Sequence, residues 1–193
     1  QGDGLLKIDA TSAGVFSIIG DYIINKGYFH FTFKNLVSKR FDLVEGGKIS
    51  WTGDPTGANL NIRGLYKVKT NVTNLGVVID STASYKNKLD VYCYISLTNK
   101  LLNPTIRFSI DIPDADPDLK RAIFANLDTT NAAVVNEQVI SLLVLGTFSY
   151  SNAGNINLAT SGYSILTNQL SSMLSKMSDK FDIGVNYRPG DAV

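Results

Sequence analysis

The chain has 193 residues, with 18 Lys and Arg against 17 Asp and Glu, and one cysteine. This length suits one ordinary domain or one elongated module with a real core. The balanced charge gives no electrostatic footprint for nucleic acid or an anionic membrane, the single Cys93 excludes an internal disulfide, and no apolar run approaches the ~20 residues of a membrane helix.

The first part of the chain alternates apolar and polar residues, which is the period of half-buried strands. Asn35–Arg40 reads as a polar connection and Val72–Ser81 is less clear. Gly64 interrupts an apolar period and indicates a bulge or a close backbone contact. The predicted strands are Gly4–Asp9, Val15–Gly20, Asp21–Ile24 (a third piece or a continuation), Tyr28–Phe33, Phe41–Val44, Lys48–Gly53, Ala58–Thr70, Leu89–Leu97 and Thr105–Ile112.

The pattern changes from sheet to helix after Pro113. Asp116-Pro117 predicts an N-cap followed by proline at the first helical position, and a second helix is expected from about Val134 to Gly146. A Ser/Asn/Gly-rich loop is predicted over 149–162, then a third helix over Tyr163–Met177. Alternation resumes at 181–188, where Phe181, Ile183, Val185 and Tyr187 share one face.

These elements predict a mainly β module with a late helical segment. Residues 1–112 form an antiparallel meander with one apolar face, 113–180 a helical segment and 181–188 a further strand. Eight strands at ~4.8 Å spacing make a sheet roughly 35 Å wide, which must close, curl, pair or be covered. The abrupt start and end, with no signal peptide, lead us to expect a fragment of a much larger protein.

Few residues are candidates for catalysis or metal binding. His30 has no second histidine for a metal site, and Cys93 lies in phase with Val91 and Ile95 as a small buried hydrophobe. Asp111, Asp114, Asp116 and Asp118 surround Pro113, where capping explains them better than a calcium loop, which would need a glycine and a distal glutamate. No catalytic motif is present, so we expect no enzyme, cofactor or metal.

Four segments carry a family resemblance. GGKISWTGDP, from Gly46 to Pro55, and the LNIRGLY that begins at Leu60 resemble the strand pair of the TamB family, with Gly64 in place of the usual alanine. LLNPTIRFSIDIPDAD and NEQVISLLVLGTF resemble a strand and a helix of the same family. LTNQLSSMLSKMSDKFDIGVNYRPGD is similar to the C-terminal segment of its Bacteroidetes branch.

The resemblance implies a β-taco, a long sheet bent into a U around an apolar groove, and no catalysis. It implies a parent protein anchored in the inner membrane of a Gram-negative bacterium and crossing the periplasm to an outer-membrane barrel of the Omp85 class (TamA-like). The implied role is outer-membrane biogenesis, through insertion of outer-membrane proteins or through bridge-like transport of phospholipid, as in AsmA-like proteins.

Two function hypotheses follow, and a structural module of a periplasmic scaffold is a third, plain alternative. In the first, the apolar face is a groove that shields phospholipid acyl chains. In the second, an unpaired edge strand, Phe181, Ile183, Val185 and Tyr187, binds the barrel or a nascent outer-membrane protein by β-augmentation. The candidate groove residues are Phe29, Phe31, Phe33, Ile49, Trp51, Leu60, Ile62, Tyr66, Leu89, Val91, Ile95, Ile106, Phe108 and Ile110.

The same residues also fit an ordinary core, because an apolar sheet face is most often just buried. The third helix complicates the groove interpretation. Its stripe of Leu166, Leu170, Met173, Leu174 and Met177 can plug the groove, insert at a membrane surface or pack as cover, and packing against the sheet is favoured.

Overall fold

The computed structural model describes residues 1–11, 16–33, 37–77, 88–150 and 156–179, with no side-chain description for 33, 37, 156–160 and 177–179. Within these ranges the chain forms eight strands, with short 3₁₀-helices at Pro55–Gly57 and Thr73–Leu75 between them, and then three α-helices. The strands are β1 (Gly2–Ala10), β2 (Phe16–Ile24), β3 (Tyr28–Phe33), β4 (Val37–Leu43), β5 (Gly47–Gly53), β6 (Asn59–Thr70), β7 (Leu89–Lys100) and β8 (Asn103–Asp111). The helices are α1 (Pro117–Asn126), α2 (Ala132–Val144) and α3 (Ile156–Asp179).

All eight strands belong to one antiparallel sheet that does not close on itself. β2 and β3 lie end to end and form one long line of strands, and β4 and β5 form a second long line beside it. β2 pairs with β5, and β3 pairs with β4. β1 pairs with β2, β6 pairs with β5 and β4 on one side and β7 on the other, and β8 follows β7. The predicted antiparallel meander is confirmed, and the open sheet is consistent with the predicted curled, taco-like form.

The two long lines are interrupted at the same level, at residues 25–27 and 44–46, which we call the sheet break. Hydrogen bonds span it: the Leu43 amide donates to the Gly27 carbonyl at 2.8 Å, and the Gly46 amide donates to the Ile24 carbonyl at 2.9 Å. Gly46 has a φ of 83°, which favours glycine. The two lines are therefore interrupted at the break without leaving these main-chain groups unpaired.

Asn35–Arg40 was predicted as a polar connection, and this prediction is wrong from Val37 onward, where β4 begins. Its polar side chains find partners across the sheet. The Arg40 guanidinium lies 4.3 Å from the centroid of the Tyr28 ring and 2.6 Å from the Asp42 carboxylate, while the Lys39 ammonium lies 5.7 Å from the Tyr66 ring. Asp42 is two residues away on the same strand, but the contacts with Tyr28 and Tyr66 are non-local, so the local polarity of the segment did not predict the strand.

Gly64 was predicted to lie at a bulge or at a close backbone contact, and the close contact is confirmed. A Cβ there would lie 2.9 Å from an Ile95 methyl carbon and 3.0 Å from the Phe29 ring. β6 stays in register with β7 through this position, with Gly64 opposite Ile95. The irregularity belongs to the neighbouring line, at the sheet break, rather than to β6 itself.

The predicted start of α1 is confirmed, whereas the predicted start of α3 is wrong. α1 starts as predicted: the Asp116 carboxylate accepts hydrogen bonds from the amides of Asp118, at 3.0 Å, and Leu119, at 2.8 Å. α3 starts at Ile156, so the predicted loop over 149–162 is wrong for its last seven residues. The composition suggested a loop because glycine and asparagine are weak helix formers, but tertiary packing on α2 overrides that preference.

The core lies between one face of the sheet and the helices. α2 packs against β8, and α3 packs against α2, β3 and β8. α2 is buried nearly all round, and its buried Gln138 and Ser141 are satisfied by the main chain of Ser149 and Thr147. The core therefore has a sheet layer and a helix layer, as expected for a sheet with one apolar face.

Candidate functional site

The predicted groove residues that the structure describes lie on one face of the sheet, which we call the inner face. The register places them there in rows across the strands, for example Ile62 opposite Leu97 and Leu97 opposite Ile106. The next rows on this face run from Gly64 to Ile95 to Phe108 and from Tyr66 to Cys93 to Ile110. The side chain of Phe33 is outside the described residues. The backbone arrangement thus brings the apolar residues of separate strands into one continuous surface.

Burial across the inner face is uneven. Phe31, Val91 and Ile95 have no exposed area. The remaining predicted residues below a tenth of their area exposed are Phe29, Ile49, Trp51, Leu60, Ile62 and Ile110. Those that are only partly buried are Tyr66, Leu89, Ile106 and Phe108. Most of the inner face is therefore protein core in this conformation, and its borders retain some exposure.

Some residues of the inner face were not among the predicted groove residues. Phe41 is fully buried, with its ring stacked on Phe29 at 4.8 Å and tilted against Tyr66 at 5.8 Å. It was missed as a groove residue because its neighbours are Arg40 and Asp42. Leu97, buried at the end of β7, was in phase with Val91 and Ile95, so its period-two spacing was a sufficient signal.

α3 covers much of the inner face. Its stripe of Leu166, Leu170 and Leu174 is buried, and Tyr163 packs edge-on against Phe108 with centroids 5.8 Å apart. The favoured expectation, packing against the sheet, is confirmed for the described part of α3. An apolar ligand too large for a small pocket could therefore bind on the inner face only if α3 moved away from it.

An apolar cavity of about 210 Å³ remains between the sheet break and α3. A cavity of ~150 Å³ lined by similar side chains is large enough to bind benzene. The exposed Lys26 and Tyr28 stand at the rim. The apolar walls are formed by Ile24, Phe29, Leu43, Ile49, Ile62, Leu97, Met173 and Leu174.

A second, larger and more polar cleft adjoins this cavity at the sheet break. It has a volume of about 890 Å³ and includes Arg40, Asp42 and Glu45. The two hollows share Lys26 and Tyr28, together with Gln1, Gly27 and Leu43. The sheet break therefore places a charged cleft directly beside an apolar cavity.

The strand edges offer a second type of site. Within the described residues, no strand pairs with the outer edge of β1, where Leu5 is 90% exposed. At β3, the Thr32 amide donates to the Gln169 side-chain oxygen at 2.9 Å, and the Gln169 side-chain amide donates back to the Thr32 carbonyl. Gln169 thus hydrogen-bonds this edge in the way a neighbouring strand would. The predicted edge strand with Phe181, Ile183, Val185 and Tyr187 lies outside the described residues.

The remaining candidate residues lack a catalytic arrangement. Burial raises the pKa of the Cys93 thiol to about 12, so it is protonated at neutral pH and is a poor nucleophile. His30 is exposed and contacts the Tyr28 ring at 5.4 Å. In the described ranges, no three His, Cys, Asp or Glu side chains are grouped to hold a metal ion. No helix in those ranges is long and apolar enough to cross a membrane.

Comparison with known proteins identifies one family. The family model described as the TamB C-terminal domain matches residues 1–191, which is nearly the whole chain. No curated protein and no solved structure matches.

Proposed function

The chain belongs to the TamB C-terminal domain family, and from this premise we propose that it is a non-enzymatic, periplasmic part of an envelope protein that shields phospholipid acyl chains. The family is a structural or transport module of the Gram-negative envelope and takes part in the translocation and assembly module. The Bacteroidetes branch stays a prediction. In this proposal the parent is anchored in the inner membrane and reaches the outer membrane.

The observation that carries the proposal is the apolar cavity at the sheet break with a charged cleft beside it. A phospholipid is amphipathic in the same way, with an apolar tail next to a charged headgroup. Burial of a tail stabilises the complex by about 25 cal/mol per Å² of apolar surface, so it needs apolar walls and exclusion of water but no catalyst. Lys26, at the rim of both hollows, supplies a positive charge where a lipid phosphate would lie.

The cavity volume of about 210 Å³ accommodates only part of an acyl chain. Met173 and Leu174 of α3 form one of its walls, so a small outward movement of α3 lengthens the cavity along the inner face. The partly buried Phe108 and Ile106 border the strip that would be uncovered. We therefore propose α3 as a movable cover over a lipid groove.

Filling the cavity tests this function. We expect Met173→Trp to displace bound phospholipid, because the larger ring occupies the space between α3 and Ile62. Native mass spectrometry with lipid extraction should show phospholipid on the purified wild-type protein and roughly a tenfold lower affinity for it in the variant, which corresponds to a loss of ~1.4 kcal/mol in binding.

The matched control is Ser172→Trp, which places the same ring one residue away on the exposed side of α3. It should retain lipid. Wild-type protein without phospholipid, or equal occupancy in Met173→Trp and Ser172→Trp with both folded by circular dichroism, would contradict the proposal.

The hydrogen bonds between Gln169 and Thr32 favour a second candidate function, in which the edge of β3 accepts a strand from an Omp85-class (TamA-like) barrel or a nascent outer-membrane protein. Gln169 already makes one donor and one acceptor contact of the kind that an added strand would make. Release of α3 would open this edge together with the inner face.

Removing the amide tests the second candidate. We expect Gln169→Leu to leave the Thr32 main chain unpaired and to increase photo-crosslinking of a purified Omp85-class barrel through benzoylphenylalanine at the exposed His30, several-fold over wild type. The control is Asn168→Leu, at an exposed position of α3. If Gln169→Leu and Asn168→Leu give the same yield, strand acceptance at β3 is excluded.

A further inference from the structure

The face of β6, β7 and β8 opposite the inner face, which we call the outer face, carries cations stacked on tyrosine rings. The Arg63 guanidinium lies 4.3 Å from the centroid of the Tyr94 ring, and the Lys67 ammonium lies 4.6 Å from that of Tyr92. Such contacts hold the cations against the strand surface and leave their outward side free for an anion.

The carboxylates of this face are already paired. Asp90 lies 3.5 Å from the Lys69 ammonium, and Asp111 lies 2.5 Å from the Lys120 ammonium of α1. Across the described ranges, Arg63, Lys67 and Arg107 have no carboxylate within ion-pair distance. The outer face of these three strands therefore has a local excess of positive charge that the balanced composition of the chain does not reveal.

Two of the cations lie in one row. The register places Arg63 opposite Ser96 and Ser96 opposite Arg107, so the two arginine side chains leave the same face of the sheet on either side of Ser96. Adjacent strands are ~4.8 Å apart, which puts the two arginine backbones about 10 Å apart. Arginine side chains converge easily over that distance, and their planar donor forks match the oxygens of a phosphate group.

A cleft of about 630 Å³ begins at Arg63 and extends along the same face toward α1. Tyr94 and Phe124 provide its aromatic surfaces. Ser109, Asp111 and Thr129 contribute two hydroxyl groups and a carboxylate, which can accept hydrogen bonds from the hydroxyls of a ligand. An anion at the arginine row would thus be followed by a group rich in hydroxyls.

We propose that this outer-face site binds a phosphate ester of a polyol, with the phosphate between Arg63 and Arg107 and the polyol hydroxyls in the cleft beside α1. The same chemistry occurs in the headgroup of a glycerol-bearing phospholipid and in a free polyol phosphate. The site lies on the opposite side of the sheet from the acyl-chain cavity and does not depend on it.

The test uses two probes, soluble glycerol 3-phosphate and phosphatidylcholine vesicles containing phosphatidylglycerol. Binding of the full chain to the former is measured by isothermal titration calorimetry and to the latter by co-sedimentation, with pure phosphatidylcholine vesicles as the baseline. We expect Arg63→Gln/Arg107→Gln to weaken binding at least roughly tenfold, because two charge-assisted contacts are removed. The control, Lys7→Gln/Lys176→Gln, removes the same net charge from β1 and α3 and should bind as wild type does.

Binding to the vesicles alone identifies a lipid headgroup as the source, and binding of soluble glycerol 3-phosphate identifies a free ligand; both support the site. The proposal is overturned if neither probe binds, if the arginine variant binds as tightly as wild type, or if the lysine control loses as much. Retained acyl-chain binding in the arginine variant would show that the two faces act separately, since Met173→Trp alters only the inner face.

Discussion

Phe41→Ala lowers the free energy of unfolding by about 3–5 kcal/mol, the range observed for removing a fully buried phenylalanine. Phe41 has no exposed area, its ring stacks on Phe29 with an angle of 9° between the planes, and it contacts Tyr66. Truncation leaves a cavity where β3, β4 and β6 meet, and Gly64 offers no side chain to fill it. Urea unfolding followed by circular dichroism measures the loss.

The control is Tyr28→Ala, which removes an aromatic ring from the outer side of the neighbouring strand. Tyr28 is 58% exposed and contacts Arg40 and His30. We expect a loss below ~1 kcal/mol, as for other exposed cation–π contacts. Equal losses in the two variants would show that Phe41 does not belong to the core that joins the two long lines.

Gly162→Leu displaces α3 from α2 and costs about 1–3 kcal/mol or more of stability, as expected for overpacking. A Cβ at Gly162 would lie only 2.4 Å from the Cγ2 methyl of Ile140, a side chain with no exposed area. This methyl is attached directly to the Cβ of Ile140, so it moves little without the helix itself. A gain of up to ~1 kcal/mol from replacing glycine inside a helix does not compensate for that overlap.

Thermal unfolding and limited proteolysis within α3 provide the readouts, and both should show a less stable α3. Ser161→Leu, at the adjacent exposed position, should have little effect. Combining Gly162→Ala with Ile140→Ala should cost less than the sum of the two single variants, because the methyl that obstructs the new Cβ is absent. Additive losses in that cycle would argue against the close approach of α2 and α3. If α3 covers a groove, the displacement of α3 in Gly162→Leu should also increase lipid uptake.

Part of the site was predictable because alternation is a local property. Phe29, Phe31, Val91 and Ile95 were assigned to one face from their spacing alone, and that face is the one that is buried. Phe41 was not, since a strand of seven residues with Ser38, Lys39, Arg40 and Asp42 lacks the apolar alternation of its neighbours. Phe41–Val44 was predicted as a short strand, but the burial of Phe41 depends on β3 and β6, which are distant in sequence, and no local pattern reports such pairing.

By itself the sequence determined the antiparallel strands, their apolar face, the late change to helices and the family, because period-two spacing, turn residues and family motifs are written in neighbouring residues. Only the tertiary structure decided that β2 with β3 and β4 with β5 form two lines with a common break, and that α3 extends back to Ile156 and covers the inner face. The cavity at the break, the Gln169 contact at β3 and the arginine row on the outer face arise from residues far apart in the chain. Such juxtapositions are set by register and packing, which depend on the whole sheet rather than on any single segment.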